Sequence, residues 1–276
     1  MLSSLASLQV RCQFSTGTHK FTHKEVDGYF LCTFGEISKD LCISEKTGTG
    51  FEKSYSLATN KSYSEFVERY AINQDDFSFE NNLDTCGMAS LPLGFSRKKT
   101  VEAAKKLAFC EAVEKFSVMD FWHKHEMSFD IHNQSNQSYT YILPKISNSG
   151  LYVCIALLKE GKSVYFGSSC SEDLLRSLDK AKQEAVAHQI ACKLLEDGGL
   201  SDSAIYEKRL RFLMNYGWDI WQDRLSRKGS ASIHIPDVAI DRQIYCPRFS
   251  MYYVHQTRLK GQKNYIDRNI VEVGYV

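Results

Sequence analysis

Glutamates recur on three widely separated stretches that otherwise read as apolar helix: Glu65 and Glu68, then Glu111 and Glu114, then Glu184. Burying an unpaired carboxylate costs on the order of several kcal/mol, because its charge leaves water without a partner. A chain of this kind has two ways to fold. Either three amphipathic helices turn their glutamates to solvent, where Glu is a favoured helix residue, or the three helices converge and a shared cation meets the acids. Mg²⁺ is the cation that fits, since it prefers carboxylate oxygens and is commonly held together with substrate phosphates. The second arrangement describes a nucleotide site with no glycine-rich loop.

The segments between these stretches alternate strand and helix without a regular βαβ period. Leu8 to Val10 and Cys12 to Phe14 have strand character, followed by Tyr29 to Phe34 and Leu41 to Ser44. Thr47-Gly48-Thr49-Gly50 leads into a helical stretch that runs to about Ile72. Asn73 to Asp84 is acidic and turn-rich, and Pro92 and Gly94 punctuate the approach to Ser96, which is placed to cap a long helix from Arg97 to Trp122. Residues 127–138 are polar and read as a loop or insertion. Tyr139 to Ile146, Leu151 to Leu158 and Ser163 to Gly167 read as strands, the last two joined by a turn at Glu160-Gly161. The third long helix begins at a cap on Ser171, carries the stripe Leu174, Leu178, Ala181, Ala185, Ile190 and Leu194, and stops at Gly198-Gly199. A further helix spans Ala204 to Tyr216 and ends at Gly217, with strand at Ile233 to Ile235 and Ser250 to His255. The pattern predicts an α+β fold in which long helices pack on mainly antiparallel sheet. It forms a single domain over 1–276, with 28–195 carrying the motif helices and 196–276 completing it. No internal repeat is evident at the usual array periods.

A formal charge of +1 leaves no basic footprint of the kind a nucleic-acid binder shows. No apolar run approaches the roughly 20 residues that span a bilayer. Nine cysteines form an odd set with no C-x-x-C pair and no zinc spacing, as expected of reduced thiols in a cytoplasmic protein. The first 24 residues hold Arg11, Lys20 and Lys24 but no acid, a composition that faintly resembles an organelle presequence and equally suits a strand.

Ser62-Tyr63-Ser64-Glu65-Phe66-Val67-Glu68-Arg69-Tyr70 resembles the S-x-x-E-x-x-E-R-Y motif of the YcaO superfamily. Gly48, Gly50 and Ala58 fall where that family has a G-x-G and an alanine leading into the same helix. Thr85-Cys86-Gly87-Met88-Ala89, a turn, and a helix with Glu111 and Glu114 are similar to its second block. Phe166-Gly167-Ser168, Leu174, Leu178 and Glu184 are similar to its third. The resemblance runs from about Gly28 to Leu195. It implies an ATP-utilising fold in which Glu65, Glu68, Glu111 and Glu114 hold Mg²⁺ while Ser62, Arg69, Glu184 and Gln189 face ATP. It designates no catalytic side chain. Several positions depart from the pattern: Ala108 replaces a serine, Lys115 an arginine, Phe116 an aspartate, Ala187 a glutamine and Gln189 an arginine. Exchanging arginine for glutamine removes a charge and a two-pronged phosphate donor.

In family members that modify peptides, a nucleophile attacks a backbone amide carbonyl, ATP phosphorylates the oxyanion, and phosphate departs with the amide oxygen. A neighbouring Cys, Ser or Thr gives an azoline, whereas external sulfide gives a thioamide. The resemblance therefore implies a cyclodehydratase or thioamidase subunit acting on a precursor peptide in ribosomal peptide natural product biosynthesis. Many azoline-forming members end in a proline-rich tail, whereas this sequence has no proline after Pro247, which counts against that version; its short length leaves no obvious fused peptide-recognition domain, which implies a partner protein of the same synthetase. The eroded third block keeps a second reading open, a YcaO-fold subunit without nucleotide chemistry that serves as scaffold or peptide binder.

Other constellations read as structural. His123 and His125 are two apart on a helix and do not face together. His188 lies on the apolar stripe as a hydrogen-bonded core residue, and Cys110 and Cys192 read as buried thiols. Arg97-Lys98-Lys99 stands at a helix start that also welcomes phosphate. The aromatic and basic C-terminal residues Tyr252, Tyr253, Arg258, Lys260, Lys263 and Arg268 are candidates for nucleotide or peptide contacts over a default of solvated surface.

Overall fold

A four-stranded antiparallel meander followed by a helix occurs twice in the chain. The computed structural model describes residues 7–10, 19–26, 28–36, 48–72, 87–92, 97–124, 126–133, 139–196, 204–245 and 249–262. In the first unit β1 (Ser7–Val10), β2 (His19–Val26), β3 (Tyr29–Glu36) and β4 (Gly48–Glu52) pair in chain order, and α1 (Tyr55–Ile72) follows. β5 (Gly87–Pro92) and α2 (Arg97–His123) come next. The second unit is β6 (Phe129–Asn133), β7 (Tyr139–Pro144), β8 (Tyr152–Glu160) and β9 (Ser163–Ser171), again paired in chain order, with α3 (Leu174–Glu196) after it. α4 (Ala204–Ser226), β10 (Val238–Ile244) and β11 (Tyr252–Leu259) complete the described elements, and β10, β11 and β5 form a third antiparallel sheet in that order.

Alternate side chains of β8 show why the second sheet is buried on both faces. Val153, Ile155 and Leu157 pack with Val113 and Phe121 of α2 and with Leu213 and Trp221 of α4. Cys154, Ala156 and Leu158 pack with Ala181, Ala185 and Cys192 of α3. α2 is likewise buried on two sides. Ala104, Ala108 and Ala112, all fully buried and four residues apart, lie along one side of the helix. That side meets β5 and β11, where Gln262, just past β11, donates to the Ala112 carbonyl. Cys110, Val113 and Phe121 lie on the opposite side, against the second sheet. An alanine at 108 therefore suits a close helix-on-sheet approach. A third apolar cluster joins α1 to β3, β5 and β11 through Phe34, Phe66, Val67, Met88 and Val254.

Glycines set how closely helix and strand approach in both units. A Cβ on Gly48 would lie 1.8 Å from the Ser62 carbonyl oxygen and 2.3 Å from the Phe66 amide nitrogen. On Gly167 it would lie 2.4 Å from the Ala181 oxygen and 2.3 Å from the Ala185 nitrogen. The contacts fall fourteen and eighteen residues downstream in each case, so the two strand–helix joints are built alike.

Several sequence expectations need correction. Part of the stretch read as a polar loop at 127–138 is strand β6: Met127 and Phe129 are buried, and Phe129 to Asn133 pairs with β7. The fourth helix does not stop at Gly217. It continues to Ser226, because Leu213, Gly217, Trp221 and Leu225 keep one face toward the core and Gly217 lets that face approach Val164. The cap of α3 is Asp173, whose Oδ1 accepts from the Leu175 and Arg176 amides; Ser171 Oγ instead accepts from the Asp173 amide. Gly48 to Glu52 and Gly87 to Pro92, not read as strand from the sequence pattern, are strands. β2 and β10 had no clear sequence signal. Leu41 to Ser44, Cys12 to Phe14, Asn73 to Cys86, Ser96, His125, Gly198-Gly199, Lys263 and Arg268 lie outside the described residues. Among those described, no helix is long and apolar enough to cross a membrane.

Candidate functional site

The three strand–helix joints bring a glutamate to each strand. Thr49, between the two glycines of β4, donates its amide to Glu65 Oε2 at 2.7 Å. Met88 of β5 donates its amide to Glu111 Oε2 at 3.2 Å. Ser168, next to Gly167 on β9, donates its hydroxyl to Glu114 Oε1 at 2.6 Å. Carboxylates on two helices are thus anchored by donors from three different strands, each beside a glycine.

Basic side chains tie the same acids together. Arg69 Nη2 lies 2.6 Å from Glu65 Oε1 and Lys115 Nζ lies 2.8 Å from Glu111 Oε1, each one helical turn away. Lys61 of α1 reaches across to Glu184 of α3 at 2.7 Å. Burial works against the Lys61 charge, yet Glu184, Glu52 and Glu65 together hold its pKa above the ordinary lysine value. Lys180, one turn before Glu184, is shifted the other way by burial and by the charges of Arg176 and Lys61. Burial raises the Glu65 carboxyl, with Arg69, the Thr49 amide and Lys61 opposing it. Glu114 is pushed up to about 7. Burial is the largest cause, opposed by the Ser168 hydroxyl and reinforced by the charges of Glu111 and Glu184.

Lys61 pairs with Glu184 and lies within electrostatic reach of Glu65, and Glu114 lies within that of Glu111 and Glu184, so the four acids of α1, α2 and α3 share one electrostatic neighbourhood. Glu68 is half-buried on α1, three residues beyond Glu65. Ser62 is fully buried, and its hydroxyl donates to the Thr59 carbonyl of its own helix at 2.9 Å beneath the β4 glycines. Gln189 donates to Glu160 near the β8–β9 turn, and Ala187 packs with Leu31, Phe51 and Ile190. Lys115, at the family's arginine position, spends its charge on Glu111. Phe116, at the aspartate position, packs against the main core. His188 is the core residue its position suggests: burial lowers its pKa to about 4, and Nδ1 lies 3.1 Å from the Phe166 amide, which donates to it. Sequence reasoning missed Lys61, Lys180, Thr49 and Ser168. The equal distances from Gly48 to Ser62 and from Gly167 to Ala181 were the available signal, since they align Thr49 with Ser168 and Glu65 with Glu184.

Among the described residues, no three His, Cys, Asp or Glu side chains are gathered closely enough to hold a metal ion. The donor set nonetheless suits Mg²⁺, a hard cation that takes carboxylate oxygens and keeps several waters. The Thr49 hydroxyl, beside Glu65, is buried without a hydrogen-bond partner. A hydrated ion or a phosphate oxygen would satisfy it. Lys61, Lys180 and Arg69 supply positive charge at the same place.

No family model matches the chain, and no curated protein matches it. A solved structure does: that of YcaO from Methanopyrus kandleri bound with AMPPCP and Mg²⁺. It aligns over 88% of this chain and 86% of its own, with a TM-score of 0.55 and 13% sequence identity. At that identity the likeness is one of fold. The chain has an α+β, YcaO-like fold.

Proposed function

We propose that the chain is a YcaO-type, ATP- and Mg²⁺-dependent subunit that modifies a backbone amide of a precursor peptide in the cytoplasm, by cyclodehydration to an azoline or by thioamide formation. The observation that carries this reading is the electrostatic linkage of Glu65, Glu111, Glu114 and Glu184, contributed by three helices and bridged in part by Lys61, in a fold similar to one solved with AMPPCP and Mg²⁺. Glu65, Glu68, Glu111 and Glu114 would hold the metal, which supplies charge neutralisation for phosphoryl transfer. The chain's own contribution is positioning and electrostatics. Lys61 and Lys180 flank Glu184 and are placed to take up phosphate charge, and Arg69 holds Glu65 in orientation. Glu114 can carry a proton near neutral pH on the carboxyl bonded to Ser168.

A second reading, a scaffold or peptide-binding subunit without nucleotide chemistry, draws on one specific feature. Gln189 is engaged with Glu160 and Ala187 is packed among apolar side chains, so the third block offers no phosphate donor at those two positions. A partner protein of the same synthetase fits both readings. Calorimetric titration with Mg²⁺–ATP, alone and with that partner, separates them. The enzymatic reading expects weak binding alone and tighter binding in the complex. Absence of binding in both, with peptide conversion unchanged by Glu65→Gln combined with Glu68→Gln, would establish the scaffold.

A further inference from the structure

α2 and β9 face one another in a ladder of three side-chain rungs. Lys106 pairs with Glu172 just past the end of β9, Cys110 meets Cys170, and Glu114 accepts from Ser168. The helix positions advance by four residues while the strand positions step back by two. Four helical residues rise about 6 Å and two strand residues about 6.6 Å, so the spacings match and the middle rung is held in register by those on either side. Both thiols are in the core cluster and nearly buried, 8% and 9% exposed, immediately beneath the solvent-exposed Lys106–Glu172 pair. They are in hydrogen-bond contact with each other.

We propose that Cys110 and Cys170 form a dithiol–disulfide couple, closed by a hydroperoxide, that locks α2 to β9 beside the carboxylate cluster. Cys110, one helical turn from the Lys106 cation, is the attacking sulfur. The Cys110 thiolate attacks one oxygen of the peroxide. The O–O bond breaks, and the released oxygen takes up the thiol proton, leaving a sulfenic acid on Cys110. Cys170 then attacks that sulfur, the S–O bond breaks, and hydroxide departs as water with the Cys170 proton. Two thiols lose two electrons in all, and one hydroperoxide is reduced. Cys154, one strand away, packs instead with α3 in the other core cluster, and burial pushes it up to about 12.

The lock would bear on the neighbouring acids, because Glu111 follows Cys110 directly and Ser168, which holds Glu114, is two residues from Cys170. That consequence for nucleotide rests on the function proposed above. The couple itself is tested without it. The whole reduced protein is treated with hydrogen peroxide, alkylated under denaturing conditions, digested and analysed by mass spectrometry. The expected product links the peptide containing Cys110 to the one containing Cys170, is opened by dithiothreitol, and raises Tm by several degrees, since the bond closes a long loop. Both cysteines recovered alkylated, or bonded to other cysteines instead, would overturn the couple. Titration of the reduced and oxidised forms with Mg²⁺–AMPPCP should then give affinities at least about threefold apart. Equal affinities would overturn the coupling to the site. Binding in neither form would count against the proposed function, while the mapped disulfide alone decides the couple.

Discussion

Replacing Glu114 by Gln should stabilise the metal-free protein, and the gain should depend on pH in a specific way. The Glu114 carboxyl titrates at about 7 in the folded chain against an ordinary 4.5. Between those values the folded state binds more protons than the unfolded state, so ionisable Glu114 makes stability fall as pH rises. At about 1.4 kcal/mol per unit, the loss approaches 3 kcal/mol by pH 8 and vanishes below pH 4.5. Gln keeps an acceptor for Ser168 and carries no charge. The variant should therefore equal the parent near pH 4.5 and exceed it by about 3 kcal/mol at pH 8, or roughly 6 °C in Tm for a chain of this length. The parent's own profile hides the effect because His188 acts in the opposite direction. Its pKa, lowered to about 4 from 6.5, supports stability that is present above pH 6.5 and lost as pH falls toward 4. Thermal and urea melts of both proteins in chelator, from pH 4.5 to 8, isolate the Glu114 contribution as a difference. A pH-independent difference, or a variant less stable than the parent at pH 8, would refute the argument from burial and acid–acid repulsion.

His188→Asn, which keeps an acceptor for the Phe166 amide, should flatten the acid limb of the stability profile between pH 6.5 and 4, as read by urea melts. Gly167→Ala puts a Cβ within 2.4 Å of two α3 backbone atoms and should cost more than about 3 kcal/mol, whereas Gly161→Ala, in a turn with φ of 62° and open space, should cost about 1 kcal/mol. Lys61→Met should change stability by less than about 1 kcal/mol, because its pair with Glu184 is substantially exposed, yet should weaken Mg²⁺–ATP binding in calorimetry. Glu65→Gln with Glu68→Gln should abolish conversion of the peptide in a reconstituted pathway while circular dichroism stays that of the parent.

The helices that carry the acids were legible because helical periodicity survives in a single sequence, and the glutamates stood out against it. Their partners were not. Thr49 and Ser168 reach Glu65 and Glu114 from strands whose place beside a helix is set by Gly48, Gly50 and Gly167, and close backbone approach leaves no periodic trace; Met88 reaches Glu111 through its backbone amide, which carries no side-chain signal. β6 was obscured by polar neighbours around Phe129 and Ile131. β10 was obscured because most of its side chains are solvent-exposed, so the strand lacks a clean apolar alternation. The continuation of α4 was readable in the four-residue spacing of Leu213, Gly217, Trp221 and Leu225, but a glycine was taken as a stop where it serves a close contact with Val164.

The doubled meander-and-helix plan has a kinetic side. Each unit is made of hairpins and a helix that folds back on the last strand, contacts that lie close along the chain and form early. The carboxylate region draws instead on α1, α2 and α3, joined by pairs such as Lys61 with Glu184, 123 residues apart. Contacts so distant along the chain are expected to close after the units exist, on the native side of the folding barrier. Substitutions among them should speed unfolding and leave the folding rate nearly unchanged. Side chains there could be exchanged and still leave a chain that reaches its native state as quickly as before.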